Sequence, residues 1–252
     1  MAASFSAPFP EAGLHSRITM QLALRVVESD RAGNIVAFPR EADLCAQLGV
    51  SRSILRESMK VLADKGMVEM KPRAGTHSKP RAAWRLLDPD ILSWQAAVAP
   101  DAQFARDLCE IRLAIEPTAA GFAAVRATAS ELRRIESCLD QRRRAARLSV
   151  VERLIDLDLA FQSAVVEGSH NPLLVQLSAS IRGPLRVALA LSARFPASVR
   201  LGLSAHEVLL EALLRHDPLG ARHAAEEVVG LAMLAVEERC RRELRSTRRG
   251  AK

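Results

Sequence analysis

No run of apolar residues in this chain approaches the roughly 18 needed to cross a bilayer, so a membrane-spanning helix is not expected. The four cysteines, Cys45, Cys109, Cys138 and Cys240, are widely scattered and form no CxxC pair. That spacing argues against a zinc finger or a disulfide framework, and it fits structural thiols in a reducing cytoplasm. The first dozen residues, MAASFSAPFPEA, lack a basic stretch followed by an apolar core, so residues 1–12 are read as a loose tail and not as a secretion signal. There is no GxSxG elbow, no HExxH pair and no glycine-rich phosphate loop, so an enzyme is not expected. No internal repeat is evident.

What is present is an ordinary folded composition with a basic excess. The chain has 252 residues, 49% of them hydrophobic and 26% charged, with a formal net charge of +7. Its length allows one large domain or two modest ones. A basic balance suits a polyanionic partner, but only the positions of the charges make that argument specific.

The pattern changes along the chain. Leu14, Ile18, Leu22 and Val26 recur at steps of four, which predicts an amphipathic helix over 14–28. Gly33 and Asn34 end it, and residues 35–38 form a short strand candidate. Residues 40–47 predict a short helix, and Leu48-Gly49-Val50 a tight turn. Ser51 then stands where an N-cap belongs, before a helix closed by Gly66. Residues 67–71 and 76–79 read as two strands joined by a basic turn, Pro72-Arg73-Ala74-Gly75.

Residues 81–99, with both tryptophans, Trp84 and Trp94, read as a structured linker. Residues 100–240 are helix-patterned almost throughout, with breaks near 127–130, 147–150, 168–172, 194–198 and 217–218. That spacing predicts about six helices in an antiparallel bundle. Residues 241–252 read as a basic tail that frays. The fold class is thus mainly α: a winged helix-turn-helix over 13–80, then an all-α antiparallel helical bundle.

Two short helices around a tight turn, followed by a basic hairpin, make a DNA-reading arrangement. On the second helix Ile54, Leu55, Met59 and Leu62 form the apolar side, while Arg52, Arg56 and Lys60 recur every four residues on another. Arginine can hold guanine O6 and N7 with two hydrogen bonds; Ser51, Ser53 and Lys60 suit phosphates. At the hairpin tip Arg73 is a candidate for phosphate or minor groove, and Gly75 permits close backbone approach. The cluster Arg142-Arg143-Arg144…Arg147 reads as a solvated helix end.

These residues resemble the GntR family of bacterial regulators. The resemblance rests on Phe38-Pro39-Arg40-Glu41-Ala42-Asp43-Leu44, Leu48-Gly49-Val50-Ser51-Arg52, Leu55-Arg56-Glu57, Lys65-Gly66-Met67-Val68-Glu69 and Arg73-Ala74-Gly75-Thr76. One departure is Ala42, where the family usually carries a DNA-contacting arginine or lysine; Arg40 is the candidate to supply a phosphate contact instead. The C-terminal region resembles the FadR-type (FCD) effector domain through Glu110-Ile111-Arg112…Glu116-Pro117, Asp158…Phe161, Ser169-His170-Asn171-Pro172 and His206. The linker resembles regulators of sugar-acid catabolism.

That second resemblance implies a pocket inside the bundle, where an aspartate and up to three histidines hold a divalent metal such as zinc and the metal binds an acid ligand. Asp158 and His206 match two of the positions, but the others fall on Gln162 and Val228, a poor ligand and a non-ligand. A metal-free or weakly metallated pocket is therefore expected. Arg112 would anchor a carboxylate, and Asp158, Gln162 and His206 would bond its hydroxyl groups. A structural Arg112–Glu116 bridge is the alternative use of that arginine. The resemblance implies a cytoplasmic homodimer on a double-stranded operator, with repression relieved by a small organic acid. Activation, an enzyme, and a ligand-independent architectural DNA binder are the rival readings.

Overall fold

The step-of-four pattern of the first helix is realised in the computed structural model, which describes residues 13–71, 75–98, 102–148, 151–192 and 196–250. In α1 (Leu14–Arg31) Ile18, Leu22 and Val26 are buried, and only Leu14, at the helix start, lies 49% exposed. Helix α2 (Glu41–Leu48) stops at Gly49, whose φ of 65° places it in the left-handed region that closes a helix without a Cβ penalty. Helix α3 (Arg52–Asp64) starts at Ser51, whose hydroxyl accepts from the Ile54 amide at 3.4 Å. Leu55, Met59 and Leu62 bury its apolar side with Leu22, Val26 and Leu44.

A two-stranded antiparallel sheet follows, β1 (Val68–Lys71) and β2 (Gly75–Ser78), in register Val68↔Ser78 to Lys71↔Gly75. The strand candidate at 35–38 is a single bridge, Ala37↔His77, tied by Phe38 N–H to Thr76 O at 2.9 Å and Ser78 N–H to Val36 O at 2.8 Å. The hairpin tip, with Arg73, lies outside the described residues.

The chain divides into two compact units, Met1–Val98 and Ala99–Lys252. Residues 81–98, read from sequence as a linker, thus belong to the first unit. They form a 3-10 turn (Arg81–Ala83) and α4 (Pro89–Ala97), and Trp84, Ile91 and Trp94 join the same core as α1 and α3. The reason is a set of bonds to the end of α3. Lys65 Nζ lies 2.7 Å from Asp88 and 2.9 Å from Asp90, and the Arg85 amide donates to Lys65 O at 3.0 Å. The Trp84 indole donates to Lys79 O at 2.9 Å. Asp88 also caps α4, with Pro89 at its first turn.

The second unit contains α5 (Ala102–Arg126), α6 (Ala129–Leu148), α7 (Val151–Gly168), α8 (Pro172–Ser192), α9 (Pro196–Leu214) and α10 (Pro218–Gly250). Asn171 starts α8, its side chain accepting from the Leu173 and Leu174 amides. Alanines dominate the central packing: Ala120, Ala123 and Ala124 on α5 and Ala221, Ala224 and Ala225 on α10. Small side chains let those helices approach closely. Around them sit Ile135 and Leu139 of α6, Phe161 of α7 and Leu213 of α9, all fully buried. The segment expected to fray continues α10 as far as Gly250, because no breaker interrupts its Glu, Arg and Leu residues. The N-terminal tail, residues 1–12, lies outside the described residues. Among the described residues no helix is long and apolar enough to cross a membrane.

Candidate DNA-reading helix and buried polar pocket

The helix that follows the Gly49 turn separates its residues by chemistry. Arg52, Ser53, Arg56 and Lys60 are all exposed, as is Ser51 before them, opposite the buried Leu55, Met59 and Leu62. Ser51 and Ser53 join their hydroxyl groups at 2.9 Å. Arg56 Nε donates to Glu41 Oε2 at 2.9 Å, and Arg52 Nε lies 3.9 Å from Glu41 Oε1. Glu41 therefore faces both arginines from the start of α2, and its hydrogen bond and charge raise the Arg56 pKa. Arg40, the residue before α2, is exposed too. Gly75 opens β2 with φ of 83°, a conformation few other residues adopt.

Within the second unit, four helices bring a polar cluster into an otherwise apolar core. From α5, Arg112 holds Glu116 through both ends of its fork, Nε to Oε1 at 2.6 Å and Nη2 to Oε2 at 3.2 Å. From α6, Arg142 Nη2 meets Asp158 Oδ1 of α7 at 2.9 Å. Gln162, one turn on, donates to Asp158 Oδ2 at 2.9 Å. From α9, His206 packs edge-on against Phe161 with ring centroids 4.7 Å apart, and its Nδ1 contacts the Gly202 carbonyl and lies 3.2 Å from Arg142 Nη1. Its Nε2 lies 3.4 Å from Asp158 Oδ1. All six side chains are buried. Beside them lies a cavity of about 10 Å³, lined by Glu116, Phe161, Gln162, His206, Leu209 and Val228. That is room for about one water molecule.

Burial holds the His206 pKa down at about 4, and Arg142 and Arg112 add to this against the opposing pull of Asp158. An unfolded histidine titrates near 6.5, so between those values the folded chain binds fewer protons than the unfolded one. The stability His206 contributes is complete above about pH 6.5 and lost as pH falls through 4, about 3 kcal/mol in all. Urea midpoints at pH 7 and pH 4.5 should therefore differ more for the wild type than for His206→Gln. Equal differences would remove His206 from the acid response.

The comparisons with known proteins agree with both halves of this description. Residues 34–77 match the bacterial regulatory proteins of the gntR family, and residues 107–230 match the FCD domain. The chain is 31% identical over 160 residues to the uncharacterised HTH-type transcriptional regulator YieP of Escherichia coli K12, covering 63% of this chain and 69% of that one. The chain belongs to the GntR family, in its FCD branch. It is also 38% identical over 143 residues to the galactonate operon transcriptional repressor of Escherichia coli K12. That match covers 57% of this chain and less than two thirds, 62%, of the repressor. Among solved structures it resembles Lar, which controls expression of the Listeria monocytogenes agr system. The TM-score is 0.63 over 91% of this chain and 99% of that one, at 16% identity, a likeness of fold.

In this GntR–FCD chain the four residues expected in the pocket, Arg112, Asp158, Gln162 and His206, do lie in one cluster. Their partners differ from those expected. Arg112 has its fork on Glu116, the bridge that was the alternative reading, and Nη1 is its one nitrogen without a hydrogen bond among the described residues. Arg142 went unrecognised, since it belongs to a run of arginines that reads as solvated. The missed signal is its register: Leu132, Ile135, Leu139 and Arg142 fall at steps of three and four, placing Arg142 on the buried stripe of α6.

The donor set does not fit a tightly held divalent ion. Both Asp158 oxygens are already engaged, one by a guanidinium that would repel a second cation, and Gln162 and Val228 add no strong ligand. Among the described residues, no three His, Cys, Asp or Glu side chains are grouped to hold a metal.

Proposed function

We propose that this chain is a ligand-responsive DNA-binding regulator, a homodimer that represses an operon for catabolism of a sugar acid or related hydroxy acid and releases its operator when that acid binds. The observation that carries the reading is the exposed Arg52–Arg56–Lys60 face on the helix after the Gly49 turn, in a chain of the GntR–FCD family. In this reading Arg52 and Arg56 read base edges from the major groove. Ser51, Ser53, Lys60 and Arg40 hold phosphates, and the hairpin with Arg73 and Gly75 acts as the wing. The 38% identity to the galactonate operon repressor favours repression and a sugar-acid effector.

The effector enters the bundle among Arg112, Asp158, Gln162 and His206. A cavity of about 10 Å³ admits a hydroxy acid only as side chains or helices give way. That displacement is the kind of change a regulator needs, because a ligand shifts an equilibrium only by its differential affinity for two states. If the acid weakens operator binding by some factor, the operator weakens acid binding by the same factor. The protein acts in the cytoplasm, on double-stranded DNA.

Selection of bound sequences from random duplexes tests the first half. A homodimer should return a pseudo-palindrome with half-sites about one helical turn, roughly 10 base pairs, apart. An anisotropy titration of that duplex with galactonate tests the second half; dissociation supports repression, and tighter binding reverses its sign. On the selected duplex Arg52→Ala should weaken binding by about 1–3 kcal/mol and relax preference at one base pair. Unchanged affinity and preference would remove Arg52 from the reading residues.

A further inference from the structure

Arg142 differs from the arginines around it. Arg143 is partly exposed and joins Asp140 and Glu207, and Arg144 is exposed. Arg142 turns inward, and its environment is shaped to hold a planar cation. Nη2 lies against Asp158, Nη1 beside His206, and a Cβ added at Gly202 would come within 3.2 Å of Nη2. A glycine leaves the space that the guanidinium fills. Its carbonyl also meets His206 Nδ1, the ring nitrogen that lies beside Arg142 Nη1.

Counted as charges, the cluster is balanced. Arg112 is matched by Glu116 and Arg142 by Asp158, with His206 neutral. Counted as hydrogen bonds, it is incomplete. Arg112 Nη1, Arg142 Nε and His206 Nε2 are buried and make no hydrogen bond among the described residues, although Nε2 has Asp158 Oδ1 3.4 Å away. Glu116, which holds the Arg112 fork, lines one cavity with Gln162 and His206, so the two ion pairs border the same space. Two open guanidinium donors are the complement of a carboxylate, and a ring nitrogen beside them can pair with a hydroxyl in either tautomer, since a hydroxyl both donates and accepts.

We propose that the guanidinium of Arg142 is the resident cation of this cluster, occupying the carboxylate of Asp158 beside His206 that a divalent ion would need, and that with Arg112 it receives the carboxylate of a small hydroxy acid. The hydroxy-acid half rests on the effector reading above; the resident-cation half does not. A guanidinium offers a carboxylate fixed, directional donors, and it cannot be stripped out by a chelator.

The test uses the full chain after dialysis against EDTA. In calorimetric titrations with Zn²⁺ and Mn²⁺, the wild type should show no site that His206→Ala abolishes. Arg142→Ala/Gln162→His/Val228→His should gain such a site, at least about 100-fold tighter than Gln162→His/Val228→His with Arg142 retained. A His206-dependent site in the wild type, or equal affinity in the two engineered variants, would overturn the resident cation. Should the triple variant fail to fold, the wild type and the two-histidine variant decide, since either one binding metal through His206 contradicts the idea.

A second arm titrates galactonate and L-lactate. The charge-balanced Arg142→Gln/Asp158→Asn should bind the acid that the wild type takes at least about tenfold more weakly, and Arg142→Lys should fall between. Wild-type affinity in the charge-balanced variant would overturn the carboxylate role. No binding of either acid to the wild type would sink the hydroxy-acid half, leaving the metal titrations to judge Arg142 by themselves.

Discussion

Replacing Arg142 with methionine is expected to lower the stability of the second unit by about 3–5 kcal/mol, the usual consequence of removing one partner of a buried ion pair. Methionine retains most of the arginine stem, so the loss is not chiefly one of packing. It comes from Asp158, which would stay buried with Gln162 Nε2 as its remaining donor, beside a His206 that burial keeps neutral. The same reasoning gives the opposite result for the pair. Arg142→Met/Asp158→Asn removes both charges and should recover most of the loss, because exchanging a whole buried pair for neutral groups is often nearly free. Urea unfolding followed by circular dichroism on the four members of this cycle measures the coupling. Additive effects of the two substitutions would mean that the guanidinium and carboxylate are held apart in solution.

Gly66→Ala should destabilise the first unit by roughly 2–6 kcal/mol, as the sum of two independent penalties. With φ of 78° Gly66 occupies a conformation that strains other residues, about 1–3 kcal/mol. The added Cβ would also stand 2.2 Å from the Ala83 carbonyl oxygen, backbone that cannot rotate away. Relief requires moving the turn at Arg81–Ala83 off the end of α3, at a further ~1–3 kcal/mol for overpacking. Trp84 follows that turn into the core, so its fluorescence should report the change. An unshifted melting curve would show that this turn yields without cost.

The sequence reading succeeded where structure is local. The Gly49 turn, the Ser51 cap, the Gly66 stop and the helix breaks at Asn171 and Pro218 each depend on a few neighbouring residues. It failed where a contact joins distant parts of the chain. Arg142 is buried because Asp158 and His206, on other helices, are there to meet it; nothing within the arginine run itself reveals this. Residues 81–98 are anchored by Lys65, a residue that looks like any basic helix end until Asp88 and Asp90 are placed beside it. The four residues expected in the pocket do lie near one another, but the pairing among them and their neighbours was not legible. Arg112 bonds to Glu116, and the arginine facing Asp158 is a different one.

On the proposed reading of α3 as the DNA-facing helix, Glu41 gives that surface a built-in counterion. Two arginines that would otherwise present bare charge to any polyanion are already partly neutralised by one carboxylate. Contact with a random phosphate becomes an exchange of anions, in which Glu41 must be released and rehydrated. Much less is gained than from an unpaired cation displacing the ions condensed on DNA. A guanine that takes both donors of a guanidinium repays that exchange better than a lone phosphate does. On that reading the pair should lower adhesion to the bulk of the genome more than to the operator, and shorten the time spent on sequences that carry no message.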